Sequence, residues 1–246
     1  MGKFYGSISD DLRDWALRQS VFFVASAPLR GRHINLSPKG LPDSCLAVLD
    51  PNQVAYIDST GSGCETISHV RENGRITLMF CSFDASPRIL RLFCTGTVIE
   101  WDQPEFGRCL QRMGKPPIVG ARAIIQLDVF KVQTSCGYGV PLLTLTNDPE
   151  TDKSSPYLQD RQTLGHFATK KVSAGQMQKY QQEWNSRSLD GLPGLRSALK
   201  DSGHYTWQLE LENWFSQHWN EVQILKSLAL VFFVFVGFMA IRWGKL

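Results

Sequence analysis

The sequence holds no C-x-x-C pair and no cysteine–histidine spacing suited to zinc, although it has six cysteines (Cys45, Cys64, Cys81, Cys94, Cys109, Cys136). This excludes a redox dithiol and a structural metal knuckle, and the cysteines read as free thiols in a reducing compartment. No internal repeat is visible. No basic stripe with interleaved aromatics occurs, and the net charge is only +3, which argues against nucleic acid as a partner. The first residues contain no apolar signal segment, and Met1-Gly2 does not complete an acylation motif, because Gly6 stands where a hydroxyl is needed and Ser7 comes one place late.

Charge is also lacking from Ser227 to Ile241, SLALVFFVFVGFMAI, which Lys226 and Arg242 bracket. As a helix these residues span roughly 22 Å, short of the hydrocarbon core, a gap that Ile224, Leu225 and snorkelling of the two cations can close. Trp219 and Trp243 stand at interfacial positions. The segment is expected to be a single-pass C-terminal anchor with its domain in the cytosol, on the endoplasmic reticulum or the mitochondrial outer membrane. A buried core helix or a dimer-forming helix would have the same composition.

Between Val54 and Trp101 the chain is richest in signal. A strand ends in Ser59-Thr60-Gly61-Ser62-Gly63, and a helix opens near Glu65 or Thr66. Glycines let backbone approach a ligand, a helix N-terminus offers free N–H groups, and Arg88 and Arg91 on a later strand offer guanidinium forks. These parts suit a phosphate, as in a nucleotide-like cofactor. An ordinary strand-to-helix turn would use the same loop residues. The spacing of Arg88 and Arg91 puts them on opposite strand faces.

Periodicity predicts a helix over 8–19, with Ser7 and Asp10 spaced as a capping box and Leu12, Trp15 and Ala16 sharing a face. Strands are expected at Val21–Ala27, His33–Ser37, Ala47–Leu49, Val54–Asp58, Ile76–Ser82, Ile89–Glu100 and Ala123–Thr134, and helices at Thr66–Glu72 and Gln103–Met113. Many strands with short helical crossings suggest a small barrel. Asn147–Ser155 reads as a loop, followed by helices from about Pro156 and from Ser173, the latter with Ser173 and Gln176 as a capping box. Tyr205–Gln223 reads as a Trp-rich helix leading into the tail. His33 is expected at the surface and His69 facing solvent. Cys136-Gly137-Tyr138-Gly139 reads as tight backbone packing.

Six segments together resemble the pyridoxamine 5′-phosphate oxidase-like family. They are Ser37–Gly40 (SPKG), Thr60–Thr66 (TGSGCET), Arg71–Thr77 (RENGRIT), Pro87–Leu92 (PRILRL), Ser135–Pro141 (SCGYGVP) and Ser188–Leu195 (SLDGLPGL). The resemblance runs from about Gly2 to Leu195 and implies a mainly β (α+β) fold, an FMN-binding split barrel with peripheral helices, to which the C-terminal transmembrane helix is extra. It implies a barrel domain over 1–146 and a helical extension packed on it over 147–204. An aromatic-rich amphipathic linker helix (205–225) and the membrane anchor (226–243) would follow. It further implies a homodimer with FMN at the subunit interface, and an oxidoreductase served by NAD(P)H or another reductant. Arg88 and Arg91 match the arginines of the family strand that lies against FMN. Thr60, Ser62, Gly63 and Thr66 fall where the oxidase grips the phosphate, although Arg and Lys are missing from this loop. Arg32, Asn35, Ser37 and Lys39 of the first hairpin are expected to complete the cofactor site. The oxidase's C-terminal substrate motif is absent, which sets a vitamin B6 substrate aside, and Cys94 replaces an expected glycine. No metal site is expected, and no side chain is nominated as acid or base. The same resemblance also fits a non-catalytic, membrane-tethered cofactor-binding module.

Overall fold

Five residues connect the two ends of the main sheet, and that short link dictates its shape. In the computed structural model, which describes residues 2–147, 154–203 and 205–243, the strands are β1 (Lys3–Tyr5), β2 (Val21–Ser26), β3 (Asn35–Gly40), β4 (Leu46–Asp50), β5 (Gln53–Ser59), β6 (Arg75–Cys81), β7 (Arg88–Glu100) and β8 (Ala121–Cys136). All pair antiparallel in the order β3-β2-β6-β7-β8-β5-β4, with β1 added alongside β8. The end strands β3 and β4 are joined only through Leu41 and the single-turn helix α2 (Pro42–Cys45), here numbered after α1 (Asp10–Leu17). A flat sheet of this order would hold its ends several strand spacings apart. The sheet therefore curls until its ends meet, giving the expected split barrel.

Period-two alternation supplies the interior. On β2 every second residue is buried (Phe22, Val24, Ser26), and Leu78 and Phe80 of β6, Leu90 and Leu92 of β7, and Ile125 and Leu127 of β8 are buried with them. Phe22 stacks on Phe80 at 5.6 Å and meets Tyr56 edge-on at 5.9 Å. Helix α3 (Glu65–Asn73) ends at Gly74, whose φ of 71° is the left-handed cap that glycine provides. Helix α4 (Pro104–Met113) covers the outer face with Cys109 and Met113 against Ala55, Ile57 and Ile124.

Several local expectations are corrected. Helix α1 is capped by Ser9, whose Oγ accepts from Leu12 N at 3.4 Å, instead of a box built on Ser7. Pro156 lies inside a strand, not at a helix start. β9 (Leu142–Asn147) and β10 (Ser154–Gln159) form a separate antiparallel pair, in which Pro156 faces Leu145. A two-stranded ribbon tolerates this proline, because its missing N–H can face away from the single partner. Residues 148–153 of the expected loop lie outside the described residues. Arg161 secures this region by donating to the carbonyls of Val140, Ser82, Asp84 and Ala85. His69 is buried, with Nδ1 3.0 Å from Ser26 Oγ, because α3 lays that face on β2.

The chain divides into two compact units, Met1–Leu164 and Gly165–Leu246. The second is helical: α5 (Thr163–Ser173) leads into it, followed by α6 (Met177–Asn185), α7 (Arg196–Asp201), α8 (Thr206–Gln217) and α9 (Trp219–Trp243). Phe167, Tyr180 and Trp184 form an aromatic row between α5 and α6. The N-cap of α6 is Gln176 without a side-chain cap, so the box expected from Ser173 does not form. The expected single helix over Tyr205–Gln223 breaks at His218. In α9, Trp219–Val236 is long and apolar enough to cross a membrane, and none of that window is buried within the chain.

All six cysteines are free: Cys64 and Cys136 are exposed, Cys45 is half-buried, and Cys81, Cys94 and Cys109 are buried. Burial, assisted by the nearby Asp128 charge, pushes the Cys94 thiol up to about 12. A thiol-reactive dye at pH 8 should therefore label Cys64 and Cys136 rapidly and Cys94 only after denaturation. Peptide mapping of the labelled protein checks this, and fast labelling of Cys94 would contradict the burial.

Candidate functional site

Past Tyr56, where β5 outruns its pairing with β4, no backbone ladder joins β5 to β3, and charge bridges the seam. Asp58, near the end of β5, is only 1% exposed. It accepts from Lys39 Nζ of β3 at 2.9 Å and from Arg122 Nε of β8 at 2.8 Å. A carboxylate is tolerated at such depth only when its lost hydration is replaced, and two cations replace it here. Both cations are about a quarter exposed and border a cavity of about 390 Å³.

The loop after β5 forms the rest of the cavity wall. Thr60 is turned away: its N–H and its hydroxyl both donate to the Gly120 carbonyl, at 2.7 and 2.9 Å, pinning the loop to the start of β8. Gly61, Ser62 and Gly63 follow along the wall. A Cβ on Gly61 would meet nothing within 4 Å, so the backbone there is open to a ligand. Helix α3 begins at Glu65 with Cys64 as N-cap and no side-chain capping bond, leaving its first N–H groups free. Thr66 is buried and accepts from Asn35 Nδ2 at 2.9 Å, and Asn35 Oδ1 in turn accepts from Ser37 Oγ at 3.2 Å.

Strand β3 supplies these groups through an inverted alternation. Asn35, Ser37 and Lys39 face inward and are half-buried, whereas Ile34 and Leu36 are exposed. The polar face belongs to the cavity.

Of the ten residues expected at a cofactor site, six line this cavity: Asn35, Ser37, Lys39, Ser62, Gly63 and Thr66. Thr60 is structural, and Arg32 is exposed on the β2–β3 connection, outside the lining. Arg88 and Arg91 are not brought to the cavity. They leave β7 on opposite faces: Arg88 shares the parity of buried Leu90 and Arg91 that of half-buried Ile89. The Arg88 guanidinium lies 5.6 Å from the Trp15 ring centroid and borders a second cavity of about 450 Å³ with Lys3, Ser9 and Cys136. Arg91 Nη1 donates to Ser135 Oγ at 3.3 Å. Asp58, Arg122 and Glu65 also line the cavity and were not among the expected residues. The legible signal for Asp58 was a carboxylate at the inward parity of an apolar strand, after Val54 and Tyr56.

Tyr56 adds an oddity beneath the site. It is fully buried, its hydroxyl has no hydrogen-bond partner among the described residues, and burial pushes its phenol well above its ordinary value. Deleting an unpartnered buried hydroxyl removes its desolvation cost. Tyr56→Phe is thus expected to leave stability unchanged or raise it by about 1 kcal/mol in urea denaturation. A loss of similar size would mean that the phenol is bonded.

Comparisons with known proteins show the family. The family described as pyridoxamine 5′-phosphate oxidase matches residues 8–136. The pyridoxamine 5′-phosphate oxidase family protein ustO of Aspergillus flavus is 59% identical over 246 residues, covering 98% of this chain and 99% of that one. Among solved structures, HupZ of Group A Streptococcus shares 18% identity with a TM-score of 0.40, covering 51% of this chain and 91% of its own. The FAD binding protein of Mycobacterium smegmatis shares 10% with a TM-score of 0.37, covering 53% and 97%. With about half of the chain inside the family match and a relative alike from end to end, the chain belongs to the pyridoxamine 5′-phosphate oxidase family.

Proposed function

We propose that the chain is a flavin-binding oxidoreductase that carries FMN with its phosphate at the Ser59–Thr66 loop. The observation that carries this reading is the convergence of β3, the loop and α3 on one polar cavity. The residues fit a phosphate-bearing tail. Gly61 leaves room for close approach, the uncapped α3 N-terminus offers N–H donors, and Ser62 and Thr66 offer hydroxyls. Lys39 and Arg122 bring positive charge, while Asp58 fixes both in place. When bound, the flavin supplies the ability to take up and pass on an electron pair. The chain binds the phosphate end, orients it between β3 and α3, and holds the barrel wall beside it.

Family membership supports a homodimer with the cofactor at the subunit interface, where Arg88 and Arg91 of β7 would contribute. The length and apolarity of Trp219–Val236 support α9 acting as a membrane tether for a cytosolic domain. Carbonate extraction of cell membranes tests the tether: retention in the pellet is expected, and release would sink the anchor.

The central experiment is the visible spectrum of the full-length protein in mild detergent, with added FMN and then NADPH. Stoichiometric flavin bands that bleach on reduction are expected. Failure to retain FMN would favour the second reading, a non-catalytic binding module. The absence of Arg and Lys from the phosphate loop favours that reading.

A further inference from the structure

We infer that Glu65 is a resident anion of the cavity, which occupies the phosphate end until a phosphorylated ligand displaces it. The inference rests on the proposed use of this pocket for a phosphate monoester. It adds a determinant of ligand choice that the proposed role does not contain.

Three observations carry it. First, the Glu65 carboxylate folds back over Gly63. A Cβ placed on Gly63 would collide with Glu65 Oε2, with Cδ at 3.1 Å and Oε1 at 3.3 Å. The carboxylate thus lies against the backbone that an incoming phosphate would approach. Second, Glu65 is the first residue of α3, whose N-cap makes no side-chain bond, and it lines the cavity. An anion is favoured there by the helix dipole, and the carboxylates in the cavity wall are Asp58 and Glu65. Third, the cavity's cations are already committed. Lys39 and Arg122 both bind Asp58, and no cation among the described residues pairs with Glu65. With two cations and two carboxylates the wall is formally neutral. A dianionic phosphate entering beside Glu65 meets like charge, and it gains the α3 N-terminus only when the carboxylate swings out.

The consequence is selective. Glu65 weakens binding of phosphorylated ligands and leaves binding of the unphosphorylated form of the same ligand unaffected. The test compares FMN with riboflavin by flavin fluorescence, using full-length wild type, Glu65→Gln and Glu65→Asp. Matching thermal melts of the three proteins exclude a folding cause. Glu65→Gln keeps the shape and removes the charge, so it should bind FMN about tenfold more tightly, with riboflavin unchanged. Glu65→Asp keeps the charge and should retain the weaker FMN binding. The inference is overturned if Glu65→Gln shifts both flavins equally or neither, or if Glu65→Asp behaves like Glu65→Gln. If none of the three proteins binds either flavin, the flavin assignment fails, and inorganic phosphate decides the remaining point by phosphorus NMR. Broadening with Glu65→Gln and not with wild type would uphold the resident anion. An equal response from both proteins, or none from either, would overturn it.

Discussion

Replacing Asp58 with asparagine is expected to lower folding stability by about 3 kcal/mol. The carboxylate is 1% exposed and is shared by Lys39 and Arg122. Asparagine keeps the volume and one acceptor but removes the charge that both cations compensate. Two cations then remain in a wall from which they are only partly able to reach water. Because each is about a quarter exposed, the cost lies at the low end for breaking a buried pair. Urea denaturation followed by circular dichroism measures it. A double variant that also replaces Lys39 with methionine should recover part of the loss, since one of the stranded charges is gone. A loss below about 1 kcal/mol would place the cluster among exposed ion pairs of little worth.

Phe22→Ala should be more damaging still, at about 4 kcal/mol. Phe22 is fully buried at the centre of the barrel, stacked on Phe80 and edge-on to Tyr56. Truncation loses the transfer free energy of the ring and leaves a void between two rigid aromatics on different strands, which cannot collapse together without bending the sheet. Phe22→Leu, which fills most of that space, should cost less than about half as much. Equal losses for the two variants in urea denaturation would show that packing around the ring is not what matters.

Much of the barrel was legible because its signals are local. The apolar, β-branched run from Val21, the Gly74 cap after α3 and the apolar residues of β7 and β8 each act within a few residues. The β9–β10 ribbon was hidden because Ser154 and Ser155 read as the end of a loop and Pro156 as the start of a helix. Only the pairing with Leu142–Asn147 overrides that reading. His69 was misjudged because the face of a short helix is set by what it lies on.

The site divided along the same line. The expected residues of the loop and of β3 each lie close together in sequence, and the structure brings six of them to one cavity. Asp58 and Arg122 are 64 residues apart, and their meeting depends on β5 pairing with β8, which spacing does not reveal. The arginines of β7 drew attention through their position soon after the loop. The sheet order puts β8 between them and β5, and β6 and β2 between them and β3.

The inverted face of β3 has a consequence for how the barrel breathes. Everywhere else the wall is a ladder of backbone bonds that must open cooperatively. Along this one seam it is a clasp of side chains, Lys39 to Asp58 and Asn35 to Thr66, each able to release singly. A molecule lodged in the seam touches both edges at once and substitutes for missing rungs. Occupancy would then be written into the amide-exchange rates of β3 and its neighbour β2, well beyond the residues that touch the ligand.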